Sequence, residues 1–164
     1  MSPATAAVEA APQPHPLPQQ KTVAKGPAKA AQFLAFRMGE QEYAIDILTV
    51  HELRGFMPIT TLPRTPSWVR GAINLRGAIV PVFDVRERFG LGPSDYHRFS
   101  VIIIVMLGER QVGLMVDAVS DVVDLSADQL EAPPELGDTE GFVKALGRID
   151  QRILIVLDLA RVIG

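Results

Sequence analysis

Sliding the sequence along itself reveals a repeat, and that repeat limits the possible folds more than any other feature of the chain. At an offset of 74 residues, Trp68-Val69-Arg70 falls on Phe142-Val143-Lys144, and Ile79-Val-Pro-Val-Phe-Asp84 falls on Ile153-Leu-Ile-Val-Leu-Asp158, ending with Gly90 on Gly164. At an offset of 69, Met38-Gly39-Glu40 falls on Leu107-Gly108-Glu109, Val50 on Val119, and Glu52 on Asp121. The two offsets differ by one five-residue insertion, which the loop from Ala132 to Glu140 can absorb. Strand-rich sequence aligns with itself easily through Val and Ile, so the polar matches Asp84/Asp158 and Gly39/Gly108 carry the argument for duplication. The two copies lie near 32–90 and 99–164. About 60 residues with five short strands is the size of one small SH3-like barrel, and two such barrels packed together bury more surface than either alone.

Within each copy the punctuation is that of β structure. Short runs rich in Val, Ile and Phe are separated by Gly, Pro, Asp and Asn, which predicts strands near 32–38, 42–47, 49–54, 72–75, 78–83, 99–107, 110–117, 120–124, 144–149 and 152–157. Gly39-Glu40, Gly108-Glu109, Asn74-Leu75-Arg76-Gly77 and Ile149-Asp150-Gln151-Arg152 read as hairpin loops. Three short helices carry end signals: Thr65 as N-cap with Pro66 inside and Gly71 beyond, Asp84-x-x-Glu87 closing at Gly90, and Ser126-x-x-Gln129 stopped by Pro133-Pro134. Asp158, like Asp84, stands where a strand gives way to a short helix, a capping position. Pro81 interrupts Ile79 to Phe83 and predicts an edge strand, because proline cannot donate a ladder hydrogen bond; such an edge is a candidate neighbour for a partner. The expected fold is all-β: two packed five-stranded SH3-like barrels, with room for strand exchange between the copies, and a few short helices.

Residues 1–31 are of another kind. They hold no aromatic residue and six of the 13 prolines, among them Pro12, Pro14, Pro16 and Pro18. Such a segment buries too little apolar surface to offset its chain entropy, so a disordered tail is expected. Its Lys21, Lys25 and Lys29 outweigh Glu9, and the rest of the chain is acidic, with 18 Asp+Glu against 13 Lys+Arg.

Several classes of function are excluded by residue types. With no Cys and only His15, His51 and His97, the chain has no thiol nucleophile and no zinc-finger spacing, and no metal or cofactor is implied. Asp84, Asp117, Asp124 and Asp158 are the available carboxylates, but they lack a phosphate loop or a nucleophile and base around them, so an enzyme is not expected. The acidic balance, the single Trp and the absence of clustered Lys argue against nucleic acid. The longest apolar run, Val101 to Leu107, is far below the roughly 20 residues that span a bilayer, so no direct membrane insertion is expected and a soluble, cytoplasmic protein is. A protein partner remains.

Four segments in order then carry a likeness: Gln32-Phe-Leu-Ala-Phe; Gly39-Glu-Gln-Glu-Tyr-Ala-Ile-Asp-Ile-Leu-Thr-Val-His-Glu-Leu53; Trp68-Val-Arg-Gly-Ala-Ile-Asn-Leu-Arg-Gly-Ala-Ile-Val-Pro-Val-Phe-Asp-Val85; and Val112-Gly-Leu-Met-Val-Asp-Ala-Val-Ser-Asp-Val122. Together they resemble the CheW family of bacterial chemotaxis coupling proteins, across residues 32–164. The resemblance implies two packed five-stranded barrels and a non-enzymatic adaptor in signal transduction. Such an adaptor joins the cytoplasmic tip of chemoreceptors to the regulatory domain of the histidine kinase CheA and is recruited to membrane-associated receptor arrays. The alternatives are a CheW-like module serving another chemosensory pathway, or an SH3-like domain with an unrelated partner.

The resemblance also implies site residues. In an extended strand Val50, Glu52 and Arg54 share one face and His51 and Leu53 the other, which fits either a half-buried sheet face or a protein contact. The resemblance favours the contact, because Val50 and Glu52 match the family's receptor-binding surface. Arg76 and Gly77 match its Arg-Gly signature, where the arginine either meets the receptor or pairs with the glutamate matched by Glu52. Gly71 supports that loop, with positive φ expected at the end of the Pro66 helix. Gly113, Val119 and Val122 match the second barrel's side of the groove, although Val119 and Val122 fit a core equally well. The kinase-binding surface carries no local motif and is left unassigned.

Overall fold

The computed structural model describes residues 30–92, 100–134 and 141–164. The expected tail up to residue 29, Phe99 of the sixth expected strand, and 135–140 of the loop assigned to the insertion lie outside the described residues. The described residues form eleven strands: β1 (Ala31–Met38), β2 (Gln41–Asp46), β3 (Val50–Arg54), β4 (Val69–Leu75), β5 (Ala78–Asp84), β6 (Val101–Leu107), β7 (Arg110–Val116), β8 (Ala118–Leu125), β9 (Leu130–Glu131), β10 (Val143–Ile149) and β11 (Arg152–Leu157). Two short helices, α1 (Val85–Arg88) and α2 (Leu159–Ile163), follow β5 and β11.

The strands make two sheets, ordered β8-β1-β2-β11-β10-β9 and β3-β6-β7-β5-β4. The all-β fold is as expected, and the two-residue β9 adds a sixth strand to one sheet. Each sheet draws strands from both copies of the repeat. The β1–β2 hairpin of the first copy lies with β8 to β11, and the β6–β7 hairpin of the second lies with β3 to β5. The exchange is sealed by two parallel junctions, Tyr43 opposite Ile155 and Leu114 opposite Phe83.

Alternation along the strands sorts the apolar side chains into three layers. Phe33, Ala35, Ala44, Val123, Leu125, Leu154 and Val156, all from the first sheet, pack on one another, as do Ile73, Leu75, Val80, Val82, Ile102, Ile104 and Met115 from the second. A sheet whose own face forms a cluster is curled, which is the barrel geometry. The opposite faces meet in a central cluster that includes Phe36, Met38, Ile45, Ile103, Leu114 and Val162. Truncating a fully buried ring such as Phe36 costs about 3–5 kcal/mol, so this shared layer fixes the barrels to each other. Rings continue the contact: Phe36 to Tyr43 at 5.9 Å, Tyr43 to Phe89 at 5.6 Å, and Phe89 to Phe142 at 5.1 Å. The Arg88 guanidinium lies 4.3 Å from the Trp68 ring centre and 4.9 Å from that of Phe142, and its Nε donates to the Val162 carbonyl.

The repeat is visible in the backbone. The bulge between Val69 and Gly71 opposite Phe83 and Val82 recurs between Val143 and Ala145 opposite Leu157 and Val156. The bulge between Val50 and Glu52 on β3 recurs on β8, where Val119 and Asp121 stand opposite Phe36 and Ala35.

The sequence reading of three places is corrected. No helix follows Pro66: Val69 to Gly71 already belong to β4, and the Thr65 hydroxyl donates back to the Leu62 carbonyl rather than capping a helix. Gly71 does have positive φ, at 145°, but inside a strand. Pro81 is not on an edge, since β5 lies between β7 and β4. It is tolerated because Ala72, opposite it, exchanges both backbone hydrogen bonds with Thr60, and pairing with β7 begins only at Val82. Asp84 caps α1 by accepting from the Glu87 N–H at 3.2 Å, whereas the Asp158 side chain makes no capping bond and α2 starts on the Asp158 carbonyl alone. Arg70 orients the Asp84 carboxylate from 3.1 Å, and the second copy has Lys144 at that place.

Candidate functional site

Arg76 and Gly77 form the two-residue turn of the β4–β5 hairpin, with φ of 53° and 90°. Left-handed backbone at both positions is the type I′ pattern that matches strand twist. The Asn74 side chain accepts from the Gly77 N–H at 2.9 Å and stiffens the turn. Arg76 is therefore a long cation held at a rigid tip.

From there it reaches the β3 edge. Its Nη2 donates to Glu52 Oε1 at 2.6 Å and its Nη1 to Oε2 at 3.3 Å, a two-pronged pair that joins the ends of the strand order β3-β6-β7-β5-β4. Arg54 Nη1 lies 3.5 Å from Oε2, and His51 Nε2 lies 4.0 Å from Oε1. The Arg76 hydrogen bond holds the Glu52 carboxyl below its ordinary range, and the same contact raises Arg76. Val50, Glu52 and Arg54 are half-buried and His51 and Leu53 exposed, the alternation read from the sequence. Val50 rests on the central cluster, so it serves as margin of the core as well as surface.

Gly71 supports this corner through a close approach. A β-carbon there would lie 2.0 Å from the Thr60 carbonyl oxygen, so only glycine lets the 55–68 segment bridge onto β4 at Ala72. At Gly77 the same atom would meet open space, and φ alone asks for glycine.

Val119 and Val122 do not join this corner, because β8 belongs to the other sheet. Val119 packs on the central cluster that also carries Val50, and Val122 is exposed on β8. Gly113 is buried in β7, where the Ile102 side chain fills the space a β-carbon would need.

One group of charges was missed by sequence reasoning. Arg152 donates to both Glu42 oxygens, at 2.9 and 3.0 Å, and to both Asp121 oxygens, at 3.2 and 3.0 Å. Hydrogen bonding to Arg152 is the main cause that lowers the Glu42 carboxyl, with the Ser120 hydroxyl adding to it, and the two carboxylates push Arg152 up. The available signal was the repeat, which aligns Asp121 with Glu52. Among the described residues there is no group of acidic and imidazole side chains placed to hold a metal ion, and no helix long and apolar enough to cross a membrane.

The family model described as "CheW-like domain" matches residues 32–164. The chain belongs to the CheW-like family. Among its relatives is the chemotaxis protein CheW of Klebsiella aerogenes, 39% identical over 147 residues that cover 87% of this chain and 89% of that one. The chemotaxis protein CheW of Thermotoga maritima is 30% identical over 135 residues, 82% of this chain and 89% of the relative. The crystal structure of the scaffolding protein TtCheW from Thermoanaerobacter tengcongensis superposes with a TM-score of 0.74 at 36% identity, covering 79% of this chain and 90% of that one. CheW proteins are chemotaxis scaffolds rather than enzymes, and this CheW-like chain is a chemotaxis coupling adaptor.

Proposed function

We propose that this adaptor joins the cytoplasmic tip of chemoreceptors to the regulatory domain of the histidine kinase CheA, in the cytoplasm and at membrane-associated receptor arrays. The receptor docks on Val50, Glu52, Arg76, Gly71 and Gly77, with Val119 and Val122 contributing from the second barrel. The observation that supports this reading is the Glu52–Arg76 pair, two opposite charges held in fixed geometry on a surface, with the Arg76 side chain 60% exposed and Leu53 exposed beside Glu52 on β3. Such a pair offers a partner helix one donor array and one acceptor array in known register, flanked by apolar surface, which is how charge fixes register at protein interfaces. The kinase takes a different face, to which no residues are assigned.

Calorimetry of the full chain with a cognate receptor-tip fragment and, separately, with the CheA regulatory domain tests this reading. Binding to both, with the receptor arm alone lost in Arg76→Glu, is the expected result. Failure of the folded chain to bind either fragment would overturn it.

A further inference from the structure

The repeat gives Arg88 of α1 and Val162 of α2 the same place, 74 residues apart. In the folded chain these two residues touch. Arg88 Nε donates to the Val162 carbonyl at 2.9 Å, and its Nη2 donates to the Arg161 carbonyl at 3.4 Å. A contact between residues that hold the same place in two related halves lies on the axis that relates the halves. Trp68 and Phe142 are equivalent in the same way, and the rings of both pack on the Arg88 guanidinium. The two rings are also anchored alike, with the Asp84 N–H donating to the Trp68 carbonyl at 2.6 Å and the Asp158 N–H to the Phe142 carbonyl at 2.8 Å.

A symmetric frame thus carries one asymmetric pin. A side chain on the axis would collide with its own copy if both halves carried it, so only one half can supply it. The second copy instead turns Val162, fully buried, into the central cluster. Arg88 ties the barrels because Trp68 and α1 adjoin β4 and β5 of one sheet, whereas Phe142 and α2 adjoin β10 and β11 of the other. The carbonyls it takes stand at the C-terminal end of α2, where the helix offers them no partner of its own. The apolar layer holds the barrels together, but hydrophobic attraction has no direction; a planar guanidinium fork has one.

The proposed docking residues lie on both barrels. Val50 on β3 stands opposite Val105, and Val119 and Val122 on β8 stand opposite Phe36 and Leu34. Those three partners belong to the central cluster, so the docking valines turn toward the layer between the barrels. A change in the angle between the barrels moves Val50 relative to Val119 and Val122. We infer that Arg88 is a positioning residue for receptor docking: pinned on the pseudo-axis, it sets the angle between the barrels and so the spacing at which the β3 and β8 edges meet one receptor tip. The inference rests on the proposal that the tip docks on both edges.

The experiment measures that spacing and the affinity together on Arg88→Met. The chain has no cysteine, so His51→Cys and Ser120→Cys, the exposed bulge residues of β3 and β8, place one spin label on each edge. With Arg88 in place the distance between the labels is expected to be single and narrow. Arg88→Met is expected to shift or broaden it, and without the labels to weaken calorimetric binding of the receptor-tip fragment at least about fivefold, with native circular dichroism. An unchanged distance distribution overturns the inference whatever the affinity does, and so does binding within about twofold of the unaltered chain; either result leaves the proposed receptor site standing. If Arg88→Met does not fold, Arg88→Lys, which keeps the charge and loses the fork, takes its place under the same two criteria. Binding by the unaltered chain that neither Arg76→Glu nor Val122→Ser weakens overturns the receptor site itself, and the inference with it.

Discussion

Gly71 and Thr60 approach so closely that a β-carbon on Gly71 would lie 2.0 Å from the Thr60 carbonyl oxygen and 2.8 Å from its carbon. The obstacle is backbone, which cannot rotate away, and φ at 145° adds strain for any other residue. Gly71→Ala is expected to lower stability by about 3 kcal/mol or more, through clash and strain together. Gly77→Ala, in open space at φ 90°, should cost only about 1–2 kcal/mol. Urea unfolding of the two variants checks the order; equal losses would mean that the Thr60 approach relaxes freely.

Reversing one charge of the Glu52–Arg76 pair should weaken receptor-tip binding far more than it lowers the urea midpoint, because the Arg76 side chain is 60% exposed and an ion pair with so exposed a partner contributes little to stability. Glu52→Arg and Arg76→Glu are each expected to reduce affinity at least tenfold while kinase binding stays within twofold, on the order of the rim and centre charge effects seen at interfaces. Parallel titrations with the two fragments measure it, and equal loss on both arms would contradict separate faces.

Asp84 and Asp158 hold corresponding places but different bonds. Asp84 is buried, pairs with Arg70 at 3.1 Å and caps α1. Asp84→Ala leaves Arg70 facing a partly buried gap and removes the cap, which should cost about 3–5 kcal/mol. Asp158→Ala removes no capping bond and should cost less than about 1 kcal/mol. Thermal or urea denaturation of the pair distinguishes them.

Stability should fall in acid. Glu42 and Glu52 are both held below the ordinary value of 4.5, by hydrogen bonds from Arg152 and Arg76 respectively. A carboxylate whose folded pKa is lowered contributes stability that is complete above its unfolded pKa and disappears as pH drops through the folded one. The urea midpoint is therefore expected to hold between pH 7 and about pH 5 and to decline below about pH 4.5, less steeply in Glu42→Gln. A midpoint in that variant with the same pH slope would remove Glu42 from the account.

The sequence was most legible where one strand suffices. All ten expected strands are found, because alternation and hairpin glycines act within a few residues; Asp150 and Arg76 even share the left-handed turn position their loops called for. Legibility failed where a neighbour decides. Pro66 carries a genuine helix signal, but Thr60 claims Ala72 and draws the chain into β4 first. Pro81 reads as an edge because the sequence does not tell where β7 begins to pair. The site divides in the same way: alternation put Glu52 on one strand face with Val50 and Arg54 and the family resemblance made that face a contact, while Arg152 joins Glu42 and Asp121, residues from three strands whose adjacency exists only after the copies exchange hairpins.

That exchange makes the chain the covalent form of a hairpin-swapped dimer. Each half holds the other's missing pair of strands, as protomers do when they trade an element. The cooperative unit is then the whole of both barrels. A lesion in either is felt in its twin, and Trp68, the chain's single tryptophan, stands against the central cluster that the two barrels share.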